Sequence, residues 1–348
     1  MWQLEAGPII RELREQFPDD FAVACIRNKY IDVAFAGATP AGASAVINES
    51  PIPIKVIEDF GVSEIEMAAT SRDIHDAAVD HVGSGVAVTS GPIPDRKVYQ
   101  IEFASEKDNT VTREALTQRV EELKLSFGDT SRASTLGGFA IETYVAETGS
   151  IGDAGYGHAG GTAVNALDSG LSCTSGFVVS ARTGPDIGAV TAGHCSNNLR
   201  QISPSGNFNF DFRAQHIGTY GDMQWMRSPV MMDAWFHYDH GLGRAQKARS
   251  DVSINSTVYV YGRYGGRQDA TVVGLNQSHT SNGQTSYGLV RINGSTVQPG
   301  DSGGPVYLAN TAFGIIKGYS AFHDFYTPIN QVLNQLQVDL CIDPPGCQ

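Results

Sequence analysis

The chain has 348 residues, room for one large domain or for two of ordinary size, and two is the starting expectation. With 41% hydrophobic and 18% charged residues, and no apolar run approaching the roughly 20 residues that cross a bilayer, a disordered chain and a helical membrane protein are both excluded. A formal net charge of -13 repels phosphate backbones and anionic lipid, which argues against nucleic acid and membrane surfaces as partners.

The charge is unevenly placed. Residues 1–150 hold 24 Asp and Glu against 13 Lys and Arg, whereas residues 151–348 hold 13 against 11; all 14 Glu precede residue 150, and 28 of the 39 Gly follow it. Glu favours helices and Gly favours turns, so this step predicts an acidic α+β domain over 1–150 and a Gly-rich all-β domain over 151–348. The N-terminus carries Glu5 where a signal peptide wants basic residues, and its apolar stretch is too short for one. Ile31, Val33 and Phe35 alternate with other residues, as do Tyr99, Ile101 and Phe103, which predicts two half-buried strands. Residues 63–80 read as helical, and 112–125 place Leu116, Val120 and Leu123 on one helical face. His75 and His81 have no metal-ligand spacing and are read as solvated surface histidines. From 128 to 161 the chain turns to Gly, Ser, Thr and Ala, the composition of a linker or processing segment.

Beyond residue 162, short β-rich runs at 176–180, 187–191, 258–261, 270–273, 287–292, 306–308 and 312–316 are separated by Gly, Asn, Ser and Asp, a pattern of sandwiches and barrels. Ile329, Val332, Leu333 and Leu336 then predict a closing helix over 327–338. The five cysteines form no CxxC pair and no zinc-site spacing, so no structural metal is expected. Four of them lie in the second half, which fits two disulfides made in an oxidising compartment, with Cys25 left over.

Two strings in the β-rich half carry the chemistry: Thr191-Ala192-Gly193-His194-Cys195 and Gly300-Asp301-Ser302-Gly303-Gly304-Pro305. A serine hydroxyl is a poor nucleophile at neutral pH; it needs an imidazole as general base and an acid to fix that imidazole's tautomer. Together the strings resemble those around the catalytic residues of chymotrypsin-like serine proteases, nearest to the bacterial streptogrisin and alpha-lytic protease group. The resemblance implies an all-β double β-barrel, no metal or organic cofactor, and an acid between His194 and Ser302. Asp222, in Gly221-Asp222-Met223-Gln224-Trp225, suits that place, with Asp211, Asp233 and Asp239 as rivals. Carried over, Ser302 attacks the scissile carbonyl, His194 shuttles the proton and Asp222 orients His194. The N–H groups of Gly300 and Ser302 form the oxyanion hole, each donor worth about 3 kcal/mol. Activity is then expected to rise as His194 loses its proton and to be greatest above about pH 7.

The resemblance also implies a Cys173–Cys195 disulfide, while proximity suggests Cys341 with Cys347. Residues 30–125, with Phe35-Ala36-Gly37-Ala38, resemble the acidic pro-region of this group, which assists folding of the protease domain and inhibits it until cleaved, here between Phe139 and Gly161. Secretion follows from the resemblance, although no signal peptide is visible in the chain. Three departures stand out. Asp301 should be held by an internal arginine, for which Arg263 is the candidate. The strand lining the substrate pocket reads Ile316-Lys317-Gly318-Tyr319, with Lys317 where the group usually has a serine supporting the triad acid. The pocket base, about six residues before the nucleophile, holds Ser295 and Thr296 rather than an acid, which predicts cleavage after neutral residues. The leading expectation is a secreted serine endopeptidase made as a zymogen, acting on proteins or peptides and held by its own pro-region. The alternatives are a catalytically inactive protease-like binding protein, or a protease joined to an independent N-terminal binding domain.

Overall fold

Ala6, Ile10 and Leu13 recur at helical spacing. In the computed structural model, which describes residues 2–27, 29–106, 111–128, 136, 138–147, 152–153, 162–202, 207–232, 234–238, 242–244, 247–248 and 251–342, they lie on the inner face of a helix, Trp2–Gln16. The chain divides into two compact units: Met1–Gly149 with Asp251–Ser256 and Val272–Gly283, and Ser150–Ser250 with Thr257–Thr271 and Gln284–Gln348. The division is therefore not a single cut near residue 150, because two later segments join the first unit.

In the first unit, the Trp2–Gln16 helix packs its apolar face on a three-stranded sheet. Phe21–Ile26 and Ile31–Phe35 pair antiparallel, and Ile31–Phe35 pairs parallel with Ile54–Ile57. Every residue of Ile31–Phe35 is buried, so this strand is not half-buried as its alternation suggests; Asp32 is drawn in by its ion pair with Arg27 at 2.7 Å. Next comes a helix, Glu64–Val82, opened by a capping box in which Ser63 and Glu66 satisfy each other's backbone N–H groups. Val86–Ile93 and Val98–Ser105 form an antiparallel pair, the helix Arg113–Gly128 follows, and Ala140–Val145 adds a parallel strand. The late segment contributes Ser278, His279 and Thr280, which pair antiparallel with Ser90, Thr89 and Val88. The leftover Cys25 is buried in this unit; burial first, and the charge of Asp95 next, push its thiol up to about 12, which removes it as a nucleophile.

The second unit is built almost wholly of strands. A five-stranded antiparallel sheet runs Asp211–Gly218, Gly221–Arg227, Ile187–Thr191, Val178–Ala181, Val338–Leu340. A four-stranded sheet runs Phe208–Asn209, Leu199–Ile202, Ala163–Ala166, Ser172–Thr174. A further antiparallel set joins Thr257–Gly262 to Pro305–Leu308, then Thr311–Tyr319, Asp324–Pro328 and Gln284–Asn293. The closing helix is shorter than predicted, Ile329–Leu336, because Thr327 and Pro328 end a strand; its Ile329, Val332, Leu333 and Leu336 pack on Phe177, Val190 and Trp225. The Cys173–Cys195 disulfide is present, closing a separation of 22 residues, worth roughly 3 kcal/mol in a chain-entropy account. Cys341 is disulfide-bonded, and Cys347 lies outside the described residues. No helix among the described residues is long and apolar enough to cross a membrane.

His75 departs from its sequence reading. It lies on the buried face of Glu64–Val82 with Met67, Ser71, Ile74, Ala78 and Val82, fully enclosed, its Nδ1 2.8 Å from Ser90 Oγ and its Nε2 2.7 Å from Thr280 Oγ1. His81 is exposed, 3.0 Å from the Arg119 carbonyl. Burial, and then the charge of His279, lower the His75 pKa to about 3. Folded His75 is neutral while its unfolded counterpart takes a proton below about pH 6.5, so its contribution to stability is present above that pH and is lost as pH falls toward 3. Thermal unfolding followed by circular dichroism is expected to show a loss of about 1.4 kcal/mol per pH unit from this group between pH 6 and 4. His75→Gln is expected to flatten that dependence.

Candidate active site

The two strings singled out in the sequence meet through named hydrogen bonds. Thr191 ends its strand fully buried, and its hydroxyl donates to the Thr174 carbonyl at 2.7 Å. Thr174 in turn donates its hydroxyl to the Gly300 carbonyl at 2.7 Å and its N–H to the Ser302 carbonyl at 2.7 Å. The strand beside the Cys173 disulfide thus couples the histidine loop to the serine loop. Gly303 has φ +86°, and a Cβ there would fall 2.0 Å from Thr191 Oγ1, so this contact requires glycine.

Asp222, second residue of Gly221–Arg227, is fully buried. Its Oδ1 accepts the His194 N–H at 2.9 Å, and its Oδ2 accepts His194 Nδ1 at 2.8 Å. With that proton on Nδ1, His194 Nε2 stands as acceptor 2.8 Å from Ser302 Oγ. Gly193 lets the loop come this close: a Cβ there would lie 2.8 Å from Asp222 Oδ1 and 2.9 Å from the His216 carbonyl oxygen. Thr327 fixes the Asp222 backbone, accepting its N–H and donating to its carbonyl, both at 3.1 Å. The rival Asp211 is exposed and paired with Arg227 at 2.9 Å; Asp233 and Asp239 lie outside the described residues.

Lys317 does not line a pocket as its place on the strand suggested. Its side chain is fully buried, with Nζ 2.6 Å from Asp222 Oδ2 and 3.4 Å from His194 Nδ1. The register shifts between Ile316 and Gly318, a bulge that re-aims Lys317 toward Asp222 and His194. The structure therefore places an ammonium ion where the resemblance leads one to expect a hydroxyl donor. Burial alone would raise the Asp222 carboxyl, but the charge of Lys317 and then that of His194 hold it well below the usual carboxylate range. Burial lowers His216, on the adjacent strand, and the charge of Asp222 opposes that shift.

Around Ser302, Asp301 N–H donates to the Gln298 carbonyl and Gly303 N–H to that of Ile316. The N–H groups of Gly300 and Ser302 make no backbone hydrogen bond among the described residues, which leaves both available beside Ser302 Oγ. The Asp301 carboxylate is held by the N–H groups of Tyr264, Gly265 and Gln298 at 2.8 to 3.2 Å, not by Arg263, which is exposed; backbone donors take the place of the expected arginine. Gly318 and Tyr319 pair antiparallel with Asp153 and Gly152, so the edge of this strand carries an extended segment of the chain itself. Thr296 is exposed and bonded through its backbone to Gln268, whereas its neighbours Ser295 and Val297 turn inward to Asp324. Sequence reasoning missed the roles of Thr327 and Asp324 and mis-aimed Lys317; a lone lysine inside Phe313-Gly314-Ile315-Ile316-Lys317 was the signal that a buried carboxylate waited for it.

Removing one partner of a buried ion pair strands the other, at a cost of about 3–5 kcal/mol. In a Ser302→Ala background, where self-digestion is absent, Lys317→Met is expected to lower urea stability by that amount. Adding Asp222→Asn to Lys317→Met is expected to recover part of the loss.

No family model matches the chain. It is 27% identical over 183 residues to Streptogrisin-A of Streptomyces griseus, covering 51% of this chain and 58% of that protein's length. It is 28% identical over 169 residues to Serine protease 2 of Streptomyces fradiae, covering 47% of this chain and 94% of that one. Among solved structures, Thermobifida fusca Protease A is similar at 26% identity and a TM-score of 0.46, over 53% of this chain and 97% of that one. Over about half of its length the chain is thus similar in sequence to serine proteases of the streptogrisin type.

Proposed function

We propose that the chain is a secreted serine endopeptidase, made as a zymogen, which hydrolyses peptide bonds through Ser302, His194 and Asp222. The observation that carries this reading is the unbroken hydrogen-bonded series Asp222 Oδ2, His194 Nδ1, His194 Nε2, Ser302 Oγ, each link 2.8 Å. Ser302 Oγ attacks the scissile carbonyl as its proton passes to His194 Nε2, and Asp222 supports the imidazolium so formed. The N–H groups of Gly300 and Ser302 receive the oxyanion. His194 then delivers the proton to the leaving amine, leaving an acyl group on Ser302; a water that loses its proton to His194 releases it. No metal or organic cofactor takes part.

The strand edge at Gly318 and Tyr319 supports a peptide substrate. It accepts the extended backbone of Gly152 and Asp153, the mode of main-chain pairing by which an added strand is bound. Residues 1–150 act as the pro-region and intramolecular inhibitor, a reading supported by the resemblance of residues 30–125 to the acidic pro-region of the group, with cleavage between Phe139 and Gly161, a span that lies partly outside the described residues. A disulfide at Cys173–Cys195 supports maturation in an oxidising compartment, outside the cell.

Intact-mass analysis of the chain and its Ser302→Ala variant, before and after a fluorophosphonate probe, tests this. The wild type is expected to break between Phe139 and Gly161 and take up one probe, while the variant stays whole and unlabelled. A wild type that stays unlabelled after an added protease has removed residues 1–150 would make the chain a protease-like binding protein instead.

A further inference from the structure

Ser295 and Thr296 are not acids, yet the structure brings a carboxylate to them from a strand that lies after Ser302 in the chain. Asp324 opens Asp324–Pro328 and stands in register between Tyr319 on one neighbouring strand and Ile292 on the other. Its Oδ2 accepts the Ser295 hydroxyl at 2.5 Å and the Val297 N–H at 3.2 Å. Asp324 is thus tied to both segments that the resemblance assigns to the substrate pocket: the base at Ser295 and Thr296, and the wall at Gly318 and Tyr319. Among the described residues its Oδ1 accepts no hydrogen bond and retains some accessible surface, although the residue as a whole is only 5% exposed.

The charges around Asp324 leave its own uncompensated. Among the described residues it makes no ion pair. The nearby charge acting on it is another carboxylate, Asp301, which adds to burial in raising its pKa. Lys317 is spent on Asp222, and the charge of Arg291, on the strand Gln284–Asn293, acts on His323. A mostly buried carboxylate with two donors on one oxygen and an open second oxygen costs free energy that a cation placed against it would recover.

We infer that Asp324 makes this subsite select a cationic side chain, so that the enzyme cleaves after Lys or Arg. The inference rests on the peptidase reading above and reverses the expectation of a neutral residue, which considered only the local stretch before Ser302. Ser295 holds Oδ2 and sets the carboxylate's orientation, leaving Oδ1 to meet an ammonium or guanidinium with a charge-assisted hydrogen bond.

The test uses the full chain, allowed to process itself, on a mixed peptide library with cut sites read by mass spectrometry. At least a tenfold preference for Lys or Arg before the cut is expected. Asp324→Asn, which keeps the shape and an acceptor for Ser295, is expected to collapse the ratio of kcat/KM for Arg over Leu substrates by tenfold or more. Benzamidine, an aromatic amidinium, is expected to raise the melting temperature of Ser302→Ala but not of Ser302→Ala with Asp324→Asn. Cleavage after neutral residues with no preference for Lys or Arg overturns the inference and leaves the peptidase reading intact, as does an Asn variant that keeps the preference. If the Asn variant fails to fold, the wild-type cut sites and benzamidine binding to Ser302→Ala decide. Absence of both hydrolysis and fluorophosphonate labelling ends the peptidase reading and this inference with it.

Discussion

A carboxylate with no exposed surface must be met by donors from every side, and the Asp222 side chain sets that requirement for the second unit. Three donors reach it: the His194 backbone, the His194 ring and the Lys317 ammonium. They come from a loop and from a strand, so satisfying one buried charge fixes the histidine loop and the Ile316–Gly318 bulge together. The Thr327 hydroxyl holds the Asp222 backbone, which ties a third strand to the same point. The acid is a positioning residue in the strict sense: its geometry decides which His194 nitrogen carries the proton and therefore which one faces Ser302.

Lys317 changes the electrostatics of this arrangement. A hydroxyl partner would leave Asp222 as a net anion under the imidazole; an ammonium 2.6 Å away cancels that charge inside the protein, where screening is weak. The pair is costly to bury, and its existence is matched by close geometry and by the bulge that aims it. The Asp301 carboxylate is solved differently, by three backbone N–H groups, so the same fold buries two carboxylates with two chemistries: an ion pair at one and oriented amides at the other.

What was legible in the sequence was what is written in contiguous residues. The turns carrying His194 and Ser302 demand glycine at Gly193 and Gly303 for reasons of close approach, and those glycines sit beside the residues they serve. Asp222 was reached through the resemblance, as an acid between His194 and Ser302, and it lies within the strand Gly221–Arg227. The helices Glu64–Val82 and Arg113–Gly128 and most strands of the second half followed from apolar spacing. The rest is non-local. The Phe21–Ile26 strand is buried throughout and shows no alternation, and Asp324 reaches Ser295 across 29 positions of chain. His75 had its clue at hand, since Ser71, Ile74, Ala78 and Val82 place it on the inner face, but a polar residue on an apolar face is read as exposed until its partners are known, and Thr280 stands 205 positions away.

The first unit is not complete until residue 283 has been made, because Val272–Gly283 supplies the neighbour of the Val86–Ile93 strand and Asp251–Ser256 the bridge to Cys25. On the ribosome, the N-terminal sheet therefore waits, with an unpaired strand edge, for more than a hundred further residues to emerge. A single cut in the 139–161 span would also change the order of the problem: contacts that were closures of one chain would become an association between two, governed by concentration, and the partner that fills that sheet edge would be free to leave.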